Sequence, residues 1–165
     1  MIDVGWDVEL LNLHEKEIAN CIGCFGCWVR TPGECVRKDF GQDVARAVIN
    51  SDLLVLVGRV TFGGYSSELK KVIDRFIPLI TPFFGKVEGE VHHKPRYDKY
   101  PMWVNIGMIS SGDEECKETF RKLLNRNAIN FFSRAHTTGF IATNDDDANV
   151  RDTIRGTLKD VGVGK

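Results

Sequence analysis

The sequence lacks an excess of basic residues and lacks any long apolar run. Lysine and arginine number 22 against 23 acidic residues, so the formal net charge of -1 gives no electrostatic basis for binding nucleic acid. No apolar stretch approaches the roughly 20 residues of a membrane-spanning helix, and residues 1–5 lack the basic start of a signal peptide. These absences predict a cytoplasmic protein with neither a nucleic-acid nor a membrane partner.

The chain also lacks internal repeats, low-complexity tracts and a linker that would separate domains. Its 165 residues match the size of one domain, and its hydrophobic fraction of 42% is ordinary for a globular protein. We therefore expect a single domain over residues 1–165 with one hydrophobic core.

Cysteine is scarce, but four of the five cysteines lie close together in a single segment. The four are Cys21, Cys24, Cys27 and Cys35. Thiols stay reduced in the cytoplasm, so a tight cluster there predicts a metal, iron-sulfur or redox site before it predicts disulfides. The odd total of five cysteines points the same way.

The spacing of this segment leaves three interpretations open. Gaps of two residues allow three sulfurs to surround a tight turn, with a fourth arriving after residues 31–33, as in four-cysteine iron-sulfur sites. Four thiolates also suit zinc, although structural zinc more often uses two separated pairs. The third interpretation is a turn rich in small residues whose thiols bind nothing. Cys116 lies on the apolar stripe of a predicted helix, where free cysteine behaves as a small hydrophobe, so we expect it in the core.

Segments with strand and helix patterns alternate along the chain. Strands are predicted over residues 1–13, 53–57, 102–109 and 138–142, and helices over 42–50, 69–80, from about 113 and over 149–159. The continuous apolar run at 53–57 is typical of a central parallel strand. Residues 111–114 match a capping box, and Asp145, Asp146 and Asp147 suit the start of a helix better than a calcium loop. The order predicts a doubly wound parallel α/β sheet.

Residues 81–100 form a polar stretch that is long for a connection inside one domain. Connections of this length tend to cover sites or interfaces. His92 and His93 lie in it, and we expect them to be a solvated loop pair rather than metal ligands.

Several motifs together resemble the flavodoxin-like NAD(P)H-dependent oxidoreductases, most of all the iron-sulfur flavoprotein branch. They are Cys21-Ile-Gly-Cys24-Phe-Gly-Cys27-Trp28, Cys35, Phe62-Gly-Gly-Tyr-Ser-Ser67 and Asp74-Arg75. The likeness covers nearly the whole chain. It implies a flavodoxin-like fold, FMN at the strand ends, reduction by NAD(P)H or a partner protein, and a homo-oligomer. The four cysteines fall where that branch carries the ligands of a four-iron four-sulfur cluster.

The same resemblance implies where a flavin would lie. Ligands of doubly wound sheets bind beyond the carboxyl ends of the strands. The residues expected to line the ring are Thr61, Phe62, Gly63, Gly64 and Tyr65, and those at its far edge are Ser110, Ser111 and Gly112. An ordinary turn and a helix cap are the alternatives for these two segments. We assign no catalytic residue, because the flavin itself carries hydride chemistry.

The family's first strand, its phosphate loop and its first helix have no counterpart in the sequence. In the strand order 2-1-3-4-5 that strand lies in the middle of the sheet, so its absence is expected to leave open edges for another chain. The alternatives are a shortened form of a longer product, a partner that supplies the strand, and different pairing of the chain's own strands. Two functions follow: an FMN-dependent NAD(P)H oxidoreductase or electron-transfer flavoprotein with the cluster, or a flavin-free cluster carrier or interaction scaffold.

Overall fold

The computed structural model describes residues 5–87, 89–110 and 112–164. Its helices are α1 (Gly26–Val29), α2 (Phe40–Ile49), α3 (Ser67–Asp74), α4 (Glu114–Asn130) and α5 (Asp147–Asp160). Its strands are β1 (Leu53–Thr61), β2 (Gly64–Tyr65), β3 (Ile80–Val87), β4 (Glu90–Pro95), β5 (Met102–Ile109) and β6 (His136–Ala142).

The main sheet has four strands in the order β2-β1-β5-β6. The strands β1, β5 and β6 run parallel, and the two-residue strand β2 folds back antiparallel on the end of β1. A separate antiparallel hairpin is formed by β3 and β4. Parallel strands linked by helices confirm the predicted α/β, flavodoxin-like fold.

The central strand β5 is buried on both faces, as its apolar run predicts. Trp103 belongs to a core shared with α2, α3 and α4, whereas Met102, Val104 and Ile106 belong to a core shared with the α5 end of the chain. Neighbouring residues of a strand point to opposite faces, so an unbroken apolar run serves two layers. The sheet is thus doubly wound, and it divides the single core that we expected into two.

Strand β1 is covered less completely than β5. Val57 is 57% exposed, although it lies on the same face of β1 as Leu53 and Val55. Those two residues pack against the core that contains residues of α5. Among the described residues, only β2 pairs with the outer edge of β1, through Val60 and Thr61. In the described part of the chain, the edge from Leu53 to Arg59 therefore has no strand partner on its outer side.

The strand predicted over residues 1–13 is not formed in its described part. Residues 5–12 have no strand structure, and Leu13–Glu15 form a single 3-10 turn. Gly5 adopts a left-handed φ of 80°, and Leu10 is 89% exposed. The apolar alternation changes phase at Leu10 and Leu11, so no single face remains to be buried. Residues 1–4 lie outside the described part.

The region from residue 75 to residue 100 also differs from its prediction. Helix α3 ends at Asp74, and Pro78 lies in a 3-10 turn, Ile77–Leu79. Proline has no backbone N–H to continue the i→i−4 hydrogen bonds, so the apolar residues after Asp74 are not helical in the way that their spacing predicts. The predicted polar connection is instead the β3–β4 hairpin, whose aromatic and β-branched residues suit a strand.

The last two helices begin at aspartates. Asp113 caps α4 by accepting a hydrogen bond from the backbone N–H of Cys116 at 3.1 Å, so the cap lies two residues after the predicted Ser111. Asp146 caps α5 in the same way, which confirms the predicted helix start. Cys116 is half-buried rather than fully buried. The predicted cap residue Ser111 lies outside the described residues.

Candidate functional site

All four clustered cysteines line one open cleft of about 420 Å³, which we call the cysteine cleft. Its opposite wall comes from the end of α3 and the turn that follows, with Asp74, Arg75, Ile77 and Pro78. Cys21 and Cys24 are exposed, Cys35 is half-buried and Cys27, on α1, is buried. The structure therefore brings together the four thiols that the sequence singled out.

Backbone turns at glycine and phenylalanine shape the cysteine segment. Gly23 and Phe25 both adopt left-handed φ values, 64° and 54°, which place a sharp bend before α1. A Cβ at Gly26 would lie 2.7 Å from Val36 Cγ1, so the segment folds tightly onto the residues after Cys35. The bends bring Cys21, Cys24 and Cys27 to one side of the turn.

One pair of hydrogen bonds fixes this segment to the rest of the molecule, and another bond closes a turn within it. The Trp28 Nε1–H donates to the carbonyl oxygens of Ile77 and Ile80, at 3.1 and 3.0 Å. The Thr31 hydroxyl donates to Glu34 O at 2.7 Å, which closes the turn that returns the chain to Cys35. Both walls of the cleft are thus tied together.

A buried ion pair lies at the base of the cleft. The Arg75 guanidinium is 1% exposed and donates to both carboxylate oxygens of Asp39 at 2.8 Å. Although burial opposes the change, the hydrogen bond from Arg75 lowers the pKa of Asp39, and Asp39 in turn raises the pKa of Arg75. A fixed positive group therefore stands beside four sulfurs.

The Cys27 thiol is hard to ionise in this environment. Burial first, and then the negative charge of a Cys35 thiolate, raise its pKa to about 11. Ligand binding by a thiolate releases a proton, so a cation or cluster must supply the free energy that keeps Cys27 deprotonated.

The thiols share a cleft without converging on one point. Within residues 5–87, 89–110 and 112–164, no three His, Cys, Asp or Glu side chains are close enough to hold a metal ion together. A single zinc ion needs its sulfurs about 2.3 Å from one centre. An iron-sulfur cluster takes one cysteine at each iron and does not need that convergence.

The two predicted flavin segments lie at the carboxyl ends of neighbouring strands of the sheet. The parallel pairing of β1 and β5 extends to Arg59 opposite Met108, so Thr61 and Ser110 follow neighbouring strand ends. Thr61, Ser110 and Gly112 are exposed, and Gly112 has a φ of 85°. Ser111 lies outside the described residues.

The two aromatic side chains of the first flavin segment differ sharply. Phe62 is fully exposed at a left-handed φ of 49°. The Tyr65 ring is buried against Phe120, and its hydroxyl accepts a hydrogen bond from the Asn127 side chain at 3.0 Å. Gly63 and Gly64 form the turn between them, and Gly63 packs on Thr119 of α4. Phe62 is thus the free ring, and the flavin role of this segment stays a prediction.

A family model described as NADPH-dependent FMN reductase matches residues 1–137. The chain belongs to this family. Iron-sulfur flavoproteins are among its relatives: one from Archaeoglobus fulgidus is 34% identical over 74 residues, and one from Methanocaldococcus jannaschii is 35% identical over 89. These matches cover 45% and 53% of this chain but only 33% and 45% of the relatives, so the chain spans less than half the length of the curated proteins it matches.

In this member of the family the two candidate regions lie at opposite ends of α3. The flavin segment ends at Tyr65, just before α3 begins at Ser67, and the cysteine cleft uses Asp74 and the residues after it. Eight helical residues rise by roughly 12 Å. No helix in the described part of the chain is long and apolar enough to cross a membrane.

Sequence reasoning gave no structural role to three residues that hold the cleft in place: Asp39, Arg75 and Trp28. Trp28 and Arg75 were noted only as parts of family motifs. A lone arginine inside the apolar stripe between Ile73 and Phe76 was the available signal, since such a charge is buried only when it has a partner. His92 and His93 also differ from prediction: both are half-buried on β4, and the His93 ring packs between Trp28 and Phe84.

Proposed function

We propose that this chain is a redox protein that binds FMN and a four-iron four-sulfur cluster and passes electrons from NAD(P)H or a reduced partner to an acceptor. The observation that carries the proposal is the cysteine cleft, four thiols and a buried guanidinium in a chain of the NADPH-dependent FMN reductase family. The iron-sulfur flavoprotein names of its relatives support the cluster.

The residues of the cleft suit an anionic sulfur-bound group. Cys21, Cys24, Cys27 and Cys35 would hold the cluster, and Arg75 would offset part of its negative charge. When bound, a cluster of this kind supplies one-electron transfer, and FMN supplies hydride transfer. The open cleft leaves Cys21 and Cys24 accessible, whereas buried Cys27 excludes water from the inner side.

The flavin would lie at the carboxyl ends of β1 and β5. The exposed ring of Phe62, in the tight turn between β1 and β2, would offer an aromatic surface to an isoalloxazine. Ser110 and Gly112 follow the neighbouring strand β5 and lie at the same carboxyl end of the sheet. This chain's contribution is to position the flavin and exclude water from one of its sides.

A flavin-free cluster carrier is the second candidate. The burial of the Tyr65 ring favours it, because that ring is engaged by Phe120 and Asn127 rather than free to cover a flavin. In that case the unpaired edge of β1 would serve as an interaction surface.

The setting of the protein follows from its sulfur chemistry and its sheet edge. All five cysteines are free, and exposed thiols of this kind favour a reducing compartment such as the cytoplasm. The edge of β1 from Leu53 to Arg59 favours a homo-oligomer or a chain that supplies a strand.

Anaerobic purification, followed by incubation with ferrous iron and sulfide, tests the cluster. We expect an iron content near four per chain, a broad visible absorption that dithionite bleaches, and loss of both in Cys24→Ser. Cys116→Ser is the matched control, because Cys116 does not line the cleft, and it should keep the full iron content.

Titration with FMN, followed by quenching of flavin fluorescence, tests the flavin site. We expect saturable quenching whose FMN affinity Phe62→Ala weakens about fivefold, since stacking on one aromatic ring contributes roughly 1 kcal/mol. Iron uptake without flavin binding would support the carrier instead, and a colourless protein after both treatments would exclude both redox functions.

A further inference from the structure

Arg75 uses four of its five N–H groups inside the protein. Its Nη atoms donate to Asp39 Oδ1 and Oδ2, to Ala19 O at 2.8 Å and to Arg37 O at 3.3 Å. A guanidinium has five donors in a fixed planar arrangement, so one donor, Nε–H, remains. That atom is buried and is the one buried side-chain polar atom of the described residues without a hydrogen-bond partner.

The guanidinium that carries this donor adjoins one of the cysteines. The Cys35 thiol adjoins the guanidinium, and Cys35 and Arg75 together line both the cysteine cleft and a second cleft of about 820 Å³ beside it. A neutral thiol is a weak acceptor, whereas a deprotonated sulfur is a strong one. A buried donor left without a partner is destabilising, and an iron-bound sulfur beside it would supply the missing acceptor.

We propose that Arg75 Nε–H donates a hydrogen bond to the iron-bound sulfur of Cys35 and thereby raises the reduction potential of the cluster. The proposal rests on the cluster proposed above, and it gives Arg75 the part of a positioning residue rather than a ligand. Asp39 holds both Nη atoms and so fixes the orientation of the guanidinium beside Cys35.

The direction of the effect follows from charge. Reduction adds one electron, supplied by the titrating reductant, to a site that is already anionic. A donor fixed beside the sulfur stabilises the more negative state more strongly, and low exposure at Arg75 keeps solvent from screening it. Hydrogen bonds to cluster sulfurs are a recognised means of tuning such potentials.

Dithionite titration of the reconstituted full chain, followed by visible absorption and electron paramagnetic resonance, measures the midpoint potential. The comparison is Asp39→Asn/Arg75→Met against wild type, because the double variant removes both members of the ion pair and leaves no unpaired buried charge. We expect the double variant to show a roughly tenfold smaller one-electron reduction constant, which is a potential about 59 mV lower. Lys38→Gln, an exposed charge on the same segment, should shift the constant less than twofold.

A third variant covers the case in which the double variant does not take up a cluster. Arg75→Lys keeps a cation that can pair with Asp39 but has no Nε–H, so its potential should also fall. A wild-type chain that takes up no cluster overturns the proposed function and this inference together. A wild-type chain that takes up the cluster, with variant potentials equal to those of their references, overturns only the role of Arg75.

Discussion

Asp39 joins three segments of the molecule through its two carboxylate oxygens. Besides Arg75, it accepts hydrogen bonds from the backbone N–H of Ala19 at 3.1 Å, before the cysteines, and of Gly41 at 2.9 Å, in the first turn of α2. It is both the cap of α2 and the counter-ion of Arg75. One side chain therefore controls the position of the cysteine segment.

Removing the Asp39 charge should destabilise the chain strongly at neutral pH. We expect Asp39→Asn to lower the free energy of unfolding by about 3 kcal/mol, because Arg75 is left buried without its counter-ion. Urea denaturation at pH 7 measures the change. Asp43→Asn, in the same helix, breaks only an exposed pair with Arg46 and should cost less than about 1 kcal/mol.

The pH dependence of this effect has a definite sign. The folded-state pKa of Asp39 is depressed, so its stabilisation is fully present above the unfolded-state pKa, near 3.9, and is lost as pH falls through the folded-state value. The difference in free energy of unfolding between wild type and Asp39→Asn should therefore become smaller at acid pH. A difference that stays constant down to pH 2 would contradict the lowered pKa of Asp39.

At the scale of elements, the contact between β5 and its neighbours depends on Gly107. A Cβ there would lie 2.7 Å from Val60 Cγ2 and 3.1 Å from Phe120 Cε1. The β-branched Val60 side chain has little freedom to move aside. Strand β5 can pack this closely between β1 and α4 only because the position carries no side chain.

Gly107→Ala should lower the free energy of unfolding by about 1 to 3 kcal/mol through overpacking. Gly156→Ala is the matched control, because Gly156 lies in α5 with no atom near its added methyl group. Alanine there should raise stability by up to about 1 kcal/mol through helix propensity. Thermal denaturation measures the melting temperature of both variants. Equal changes in melting temperature for Gly107→Ala and Gly156→Ala would refute the packing argument.

Elements with a strong local pattern could be predicted from the sequence. The strands β1, β5 and β6 and the helices α2 and α5 follow from apolar runs and helical spacing within about ten residues. The β3–β4 hairpin was missed because its polar residues and glycines hide a strand pattern that forms only against Trp28 and the turn before it.

The site divides in the same way between local and non-local information. The four thiols are close in sequence, so their proximity could be predicted, and their role as ligands stays a prediction. Arg75 and Asp39 are 36 residues apart, and no local pattern reports which carboxylate an isolated arginine will meet. The flavin segments were expected from the family resemblance alone, and their role stays a prediction.

For the molecule as a whole, the described sheet has two open edges, one along β6 and one along the part of β1 that β2 does not cover. Between Leu53 and Arg59 the edge of β1 has no strand partner in the described part of the chain, and it carries the exposed side chain of Val57. Open edges with apolar side chains favour strand pairing between molecules.

Val57→Lys should therefore reduce self-association. Sedimentation velocity over a range of concentrations is expected to show wild type associating through this edge and Val57→Lys shifted at least tenfold in concentration toward the monomer. Leu10→Lys, the same charge introduced at a more exposed apolar side chain outside the sheet, is the control. If both variants behave alike, the contact does not lie at β1.

The cysteine cleft is built from two separate parts of the chain, so its sulfur chemistry cannot be transferred with the cysteine segment alone. Residues 20–39, transplanted as a peptide or grafted onto another scaffold, would carry four thiols and Asp39 but neither the wall after α3 nor Arg75. Such a graft would also lose the Trp28 anchor to Ile77 and Ile80. The cysteine motif can be copied as a sequence, whereas the complete site forms only in the folded domain.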